Sequence, residues 1–371
     1  MNIYTSDQFV LPLPEGHRFP MAKYRLLREA VEQRAPGWGA QMLEAPRADD
    51  LAVLRVHTPE YLAKVRDGEL SPAEQRRIGF PWSPAMAERT RRVSGASMAA
   101  LETAIRGKRV GINLAGGTHH AFADHGAGYC IFNDSVIAAR HVQALGLIER
   151  VLIVDLDVHQ GNGTAAICQD DPSIYTFSMH GARNYPAVKP RGDLDVELPS
   201  GTADGEYLRL LELNLAYAQS RSRAQAVIYL AGADPFEGDK LGLLAISKAG
   251  LRRRDQLVFE HCRRYRLPVA VSMAGGYAPD VADIVDIHLA TIEAAARLAQ
   301  SVEEIDGQRP SPAQWAGRSA IPAPTTPMRP RWSLPPLPRG RGRAPATADP
   351  ATRSTARAAR TCRCNTVRHR D

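Results

Sequence analysis

Five short runs of apolar, largely β-branched residues, each closing in a polar or glycine-rich cluster, constrain this chain more than any other feature. They are 109–114 before Ala-Gly-Gly-Thr-His-His (115–120), 151–154 before Asp-Leu-Asp-Val-His (155–159), and 174–177 before Ser-Met-His (178–180). The last two are 226–230 before Ala-Gly-Ala-Asp (231–234) and 268–272 before Met-Ala-Gly-Gly-Tyr (273–277). Runs that are apolar throughout, rather than alternating, belong to strands buried on both faces, the habit of parallel sheets. Helix-length stretches lie between them at 133–145, 206–220 and 248–265, the first with Asn133 or Asp134 as its N-cap. This alternation predicts an α/β domain, and ligands in open α/β sheets bind beyond the carboxyl ends of the strands. All five clusters fall at those ends, so the architecture brings them to one crevice.

The clusters carry residue types suited to metal and proton chemistry. Asp157 and His159 stand two apart at a strand end, where positions i and i+2 point the same way, so both can reach one ion. Asp234 at another strand end can supply a third ligand, and two carboxylates with one imidazole leave a zinc ion open to water or substrate. Alone, an Asp-x-His pair better suits a surface turn; four further strand-end clusters favour the site. His119 and His120 follow Gly116 and Gly117, which let the backbone approach a substrate closely, and imidazoles titrate in the range proton transfer needs. Elsewhere such a pair would be merely solvated. Tyr277 follows Gly275 and Gly276, where a phenol can donate a hydrogen bond to a developing oxyanion, although an isolated tyrosine usually packs.

Charge is distributed unevenly. The formal net charge is +7, yet thirteen arginines, no lysine and two aspartates between 308 and 371 leave residues 1–307 with a net −4. We expect residues 1–300 to form the catalytic domain. The Arg-, Pro- and Ala-rich segment 301–371 holds too few aliphatic residues to offset its ordering entropy, so it is expected to be a disordered tail. Nucleic-acid binding through this tail is an alternative of another class, with an inert extension the plainer reading. Cys362 and Cys364 lack the second pair of a structural zinc site, and Cys130, Cys168 and Cys262 read as buried thiols. No apolar run approaches the roughly 20 residues of a membrane-spanning helix. With no secretory pattern in residues 1–10, a cytoplasmic setting is expected.

The clusters Gly-Gly-Thr-His-His, Asp-Leu-Asp-Val-His-Gln-Gly-Asn-Gly, Ala-Gly-Ala-Asp-Pro and Ala-Gly-Gly-Tyr, in this order, resemble the histone deacetylase superfamily. The likeness runs from about residue 4 to about residue 300, and takes in His-Arg-Phe-Pro at 17–20 and Gly-Tyr-Cys-Ile-Phe-Asn-Asp at 128–134. The form at 159–163 is similar to the class IV branch and its bacterial relatives. The resemblance implies the arginase–deacetylase fold, a three-layer α/β/α arrangement around a central parallel sheet, with one zinc at the base of a narrow tunnel. It implies Asp157, His159 and Asp234 as metal ligands, His120 as general base, and His119 as a second histidine oriented by Asp155. Tyr277 matches the carbonyl-polarising tyrosine and Asn162 the residue that orients His120. Asp155, Asp157 and His159 with Ser178 match a structural potassium site. The implied activity is hydrolysis of acetyl or longer acyl groups from lysine side chains of proteins; an acetylpolyamine or another small acylated amine is the alternative substrate. Two features depart from the family's habit: the tyrosine motif, Met-Ala-Gly-Gly-Tyr at 273–277, is shorter in glycine than in many members, and Tyr129 occupies a tunnel-wall position where phenylalanine is frequent.

Overall fold

A computed structural model describes residues 1–307. In chain order the elements are β1 (Asn2–Thr5), α1 (Ala22–Glu32), β2 (Gln41–Glu44), α2 (Asp50–Leu54), α3 (Pro59–Asp67), α4 (Pro72–Ile78), α5 (Pro84–Thr103) and β3 (Val110–Asn113). There follow α6 (Asp134–Ala144), β4 (Val151–Asp155), α7 (Asn162–Cys168), β5 (Ile174–Gly181), β6 (Leu194–Leu198) and α8 (Asp204–Ser222). β7 (Ala226–Leu230), α9 (Lys248–Tyr265), β8 (Val269–Ser272) and α10 (Val281–Gly307) complete the domain.

The eight strands form one parallel sheet in the order β2-β1-β3-β8-β7-β4-β5-β6. β3, β4, β7 and β8 are buried at every position, as apolar runs without alternation require. Their side chains divide between two cores. Leu152, Val154, Val227, Tyr229, Val269 and Val271 join α1, α8, α9 and α10 on one face. Val151, Ile153, Ile228 and Ala270 join α5 and α6 on the other. The fold is therefore the expected three-layer α/β/α sandwich. Each fully buried Val, Leu or Ile contributes roughly 1.5–3 kcal/mol of transfer free energy, so this double-sided burial dominates the domain's stability. The long helix α5 lies close against β3, because Gly111 has no side chain: a Cβ there would stand 2.1 Å from Ala100 O.

Asn133 is the N-cap of α6, its side chain accepting from Val136 N–H, which settles the choice between Asn133 and Asp134. β5 runs four residues past its apolar stretch, so Ser178 and His180 lie within the strand rather than beyond it. α10 crosses position 300 and continues to Gly307, and the tail past that point lies outside the described residues. No helix among the described residues is long and apolar enough to cross a membrane.

In this sheet the chain leaves β3, passes over two strand positions to build β4, β5 and β6, and returns to fill the gap with β7 and β8. The carboxyl ends of β3, β8, β7 and β4 thus stand side by side at the change of direction, where open α/β sheets bind ligands.

Candidate metal centre and active site

Asp157 and His159 leave the end of β4 and Asp234 leaves the end of β7, the strand paired beside it. All three side chains are buried, and their ligand atoms lie within 4.8 Å of one another. His159 Nδ1 is 2.9 Å from Asp157 Oδ1 and 3.3 Å from Asp234 Oδ2. The outer carboxylate oxygens are held by backbone: Gly275 N–H donates to Asp157 Oδ2 (2.7 Å) and Val158 N–H to Asp234 Oδ1 (2.9 Å). Asp234 Oδ2 itself has no hydrogen-bond donor in good geometry. A Cβ at Gly275 would stand 1.9 Å from that oxygen, so only glycine leaves room beside it.

Two buried carboxylates around one imidazole are short of positive charge. Burial and the neighbouring Asp157 push Asp234 up to about 7. Burial would discharge His159, but Asp157 and Asp234 outweigh it and hold its proton up to about 10. The orphaned Asp234 oxygen, the single imidazole and the glycine cradle fit a small divalent cation with nitrogen and oxygen ligands, as zinc is.

His119 and His120 are buried above this trio with ring centroids 4.1 Å apart. His119 Nδ1–H donates to Asp155 Oδ2 (2.6 Å). Burial opposes its charge, yet Asp155 and Asp157 prevail and raise it to about 9. His120 Nδ1–H donates to Asn162 Oδ1 (2.6 Å) at the first turn of α7, which leaves Nε2 with a free lone pair. Burial, then the charges of His119 and His159, hold His120 well below the usual imidazole range. The loop carrying both histidines is pinned by Asp134, which accepts from Gly117 N–H (3.2 Å), Thr118 N–H (2.7 Å) and Ser97 Oγ–H (2.5 Å).

Tyr277 closes the opposite side, its ring 6.5 Å from that of His159. Burial, with the Asp157 and Asp234 charges, raises its phenol well above the ordinary value, so it stays a donor. Its backbone N–H donates to Asp239 Oδ2 (2.6 Å). Ala274 adopts φ 53°, and its carbonyl accepts from Lys23 Nζ–H (3.3 Å). A cavity of about 450 Å³ joins these groups, walled by Phe19, Tyr129, Tyr185 and Tyr277. His17 fixes the Phe19 wall, accepting from Phe19 N–H at Nδ1 (3.1 Å) and donating to Gly79 O from Nε2 (3.0 Å).

The structure thus brings together Asp155, Asp157, His159, Asn162, Asp234, His119, His120 and Tyr277. Ser178 stands opposite Asp155 in the β4–β5 register, its hydroxyl 2.9 Å from His180 Nδ1. Sequence reasoning left out three groups. Tyr185 sets its ring 4.8 Å from that of His120. Fully buried Arg254 donates to Gly232 O (2.5 Å) and Leu156 O (3.5 Å), bracing the two loops that carry the acidic pair. The pinning role of Asp134 was also missed. A tyrosine and an arginine with no patterned neighbours gave no signal, and Asp134 was legible only as a cap.

Comparison with known proteins places the geometry in a family. A model described as the histone deacetylase domain matches residues 17–292. An uncharacterized protein of Picosynechococcus sp. (strain PCC 7002) is 45% identical over 77% of this chain and 95% of its own length. Histone deacetylase 2 of Arabidopsis thaliana is 33% identical over 66% of this chain and 65% of its own. A histone deacetylase-like amidohydrolase of Pseudomonas aeruginosa is 28% identical over 72% and 74%. Among solved structures, the HDA15 HD domain has a similar fold, with a TM-score of 0.66 and 23% identity over 85% of this chain and 97% of that one.

Proposed function

Because the chain belongs to the histone deacetylase family and is a hydrolytic deacetylase, we propose that it removes acetyl or longer acyl groups from lysine side chains with the help of one zinc ion. The observation that carries this reading is the buried Asp157–His159–Asp234 trio, facing a neutral His120 and a protonated Tyr277 across one cavity. Bound there, zinc supplies Lewis acidity that polarises the acyl carbonyl and makes a water acidic enough to lose a proton near neutrality.

The chain's own groups do the rest. Asn162 keeps the proton of His120 on Nδ1, so Nε2 faces the cavity as a base and takes the proton of the attacking water. The Tyr277 hydroxyl donates to the carbonyl oxygen as negative charge builds on it, an effect on the order of 3 kcal/mol for a well-placed donor. His119, kept charged by Asp155, offsets that charge from the other side. His120 then returns the proton to the departing amine. In this reading the aromatic walls hold the aliphatic stem of the substrate and exclude water. Asp155, Asp157, His159 and Ser178 are also proposed to hold a structural potassium ion, since hydroxyl and carbonyl oxygens suit a hard monovalent cation.

Zinc content and hydrolysis of acetyl-lysine and long-chain acyl-lysine peptides, with and without chelator, test the proposal. We expect one zinc per chain and cleavage that stops when the chelator is added. His120→Ala and Tyr277→Phe should each lose roughly 10²- to 10³-fold in kcat while retaining zinc. Wild-type rates in either variant would overturn the roles given to them, and a chain without zinc would overturn the reading itself.

A further inference from the structure

The cavity reaches the surface past Arg76 and Arg77, in the last turn of α4, and Arg183, on the loop after β5. All three are exposed, and among the described residues none has an ion-pair or side-chain hydrogen-bond partner. Residues 1–307 carry a net −4, so a cationic mouth runs against the charge of the body around it. Neither Glu74 nor Asp239 forms an ion pair with these arginines. Glu74 is paired with Lys64 (2.8 Å) and caps α4 through Ser71. Asp239 accepts from the N–H groups of Tyr277, Leu241 and Gly242. The cavity lining includes one carboxylate, Asp157, which belongs to the metal trio.

Arginine presents a planar fork that matches carboxylate geometry, and unpaired arginines at a cleft raise the local concentration of anions while repelling cations. These three line the same cavity as His120 and Tyr277, so the negative charge they attract must enter on the molecule that carries the amide. A flat anionic bilayer does not meet that condition. We propose that Arg76, Arg77 and Arg183 form an anion-selecting rim. The site then takes N-acyl amines bearing carboxylates beside the amide, such as an acyl-lysine flanked by Asp or Glu, and disfavours polycations such as acetylpolyamines. This rests on the zinc deacylase reading above and narrows its substrate class.

The test uses the zinc-loaded full chain and dye-labelled acetyl-lysine peptides with Asp, Ala or Lys flanks. Both anisotropy-measured affinity and kcat/KM are followed at low and high salt. We expect the acidic peptide to be favoured over the neutral one by about tenfold at low salt, with the preference shrinking as salt screens the rim. In the triple variant Arg76→Glu, Arg77→Glu, Arg183→Glu the preference should vanish or invert. The basic tail is present in both proteins, so a preference that survives in the variant belongs to the tail and overturns the proposal. Equal affinity for acidic and neutral peptides, or tighter binding of acetylspermidine, overturns it too, as does arginine-dependent pelleting with anionic vesicles without any peptide preference. Free Nε-acetyl-lysine against its α-amide distinguishes the source of the carboxylate: a free-acid advantage extends the class to small amines, and its absence beside a preserved peptide preference restricts it to peptides. Chelator-sensitive cleavage of the neutral peptide without charge preference sinks the rim alone. Charge-dependent binding without cleavage of any peptide sinks the deacylase reading and leaves the rim standing.

Discussion

At His120 the partner of Nδ1 is a neutral amide, and that single choice sets the strength of the proposed base. Burial and the nearby His119 and His159 already disfavour its protonated form, and Asn162 returns only a hydrogen bond. A carboxylate in its place would stabilise the imidazolium by direct attraction and raise the pKa. In the proposed role the base works in its neutral form, so a higher pKa costs activity on the acid side. In Asn162→Asp, the acid limb of the kcat/KM profile should therefore move to higher pH by about one unit. An unchanged profile would show that Asn162 does not tune the base. His120, Asn162 and the metal trio were legible in the sequence because each lies in a short motif at a strand end. Tyr185 and Arg254 were not: they reach the site from 65 residues beyond His120 and from within α9, and nothing local in either segment marks a function.

At the scale of elements, the start of α6 depends on a buried histidine. His57 Nε2 accepts the backbone N–H of Asn133 (2.9 Å), the capping residue that also reaches Thr164 Oγ1 and Ala121 O. That bond requires neutral imidazole, and burial holds His57 down to about 4. Between its unfolded pKa, near 6.5, and 4, the unfolded chain binds the proton that the folded chain refuses. Stability is therefore complete above that window and falls as pH drops through it, by on the order of 3 kcal/mol for this one group. His57→Gln keeps an acceptor for Asn133 without a titrating ring, so its urea midpoint should fall less steeply with pH than the wild-type midpoint. Parallel curves would remove His57 from the acid response. Five strands could be read from sequence because they are apolar throughout, and α6, α8 and α9 because they fill gaps between those strands; the longer α5 and α10 lie outside the gaps and were not read. β1, β2 and β6 escaped notice. β1 holds only Ile3 and Tyr4 between polar Asn2 and Thr5, and β2 and β6 are half-exposed edges whose polar residues (Gln41 and Glu44; Asp195 and Glu197) break the apolar signal.

For the whole molecule, the order β8-β7-β4 makes the candidate metal trio a clasp across three strand ends: Asp157 and His159 come from β4, Asp234 from β7, and the supporting Gly275 N–H from the loop after β8. These strands belong to both halves of the chain's path, since β4 is built before the chain returns to lay down β7 and β8. An ion bound there favours the folded state alone, because unfolding scatters its ligands, and the gain follows mass action. At a free zinc concentration a thousandfold above Kd, the stabilisation is about 4 kcal/mol. For a domain of this size that corresponds to a rise in Tm on the order of 10 °C. The same carboxylates without a cation keep their mutual repulsion inside a buried pocket, so chelation should lower Tm rather than leave it untouched. Asp234→Asn separates the two contributions: it removes one negative charge, and should raise the metal-free Tm while abolishing most of the increase on adding zinc. Calorimetric scans of both proteins with chelator and with zinc make the comparison. Coincident wild-type transitions in the two conditions would mean that the clasp is not closed by metal, whereas magnesium matching zinc would assign the trio to a hard cation instead.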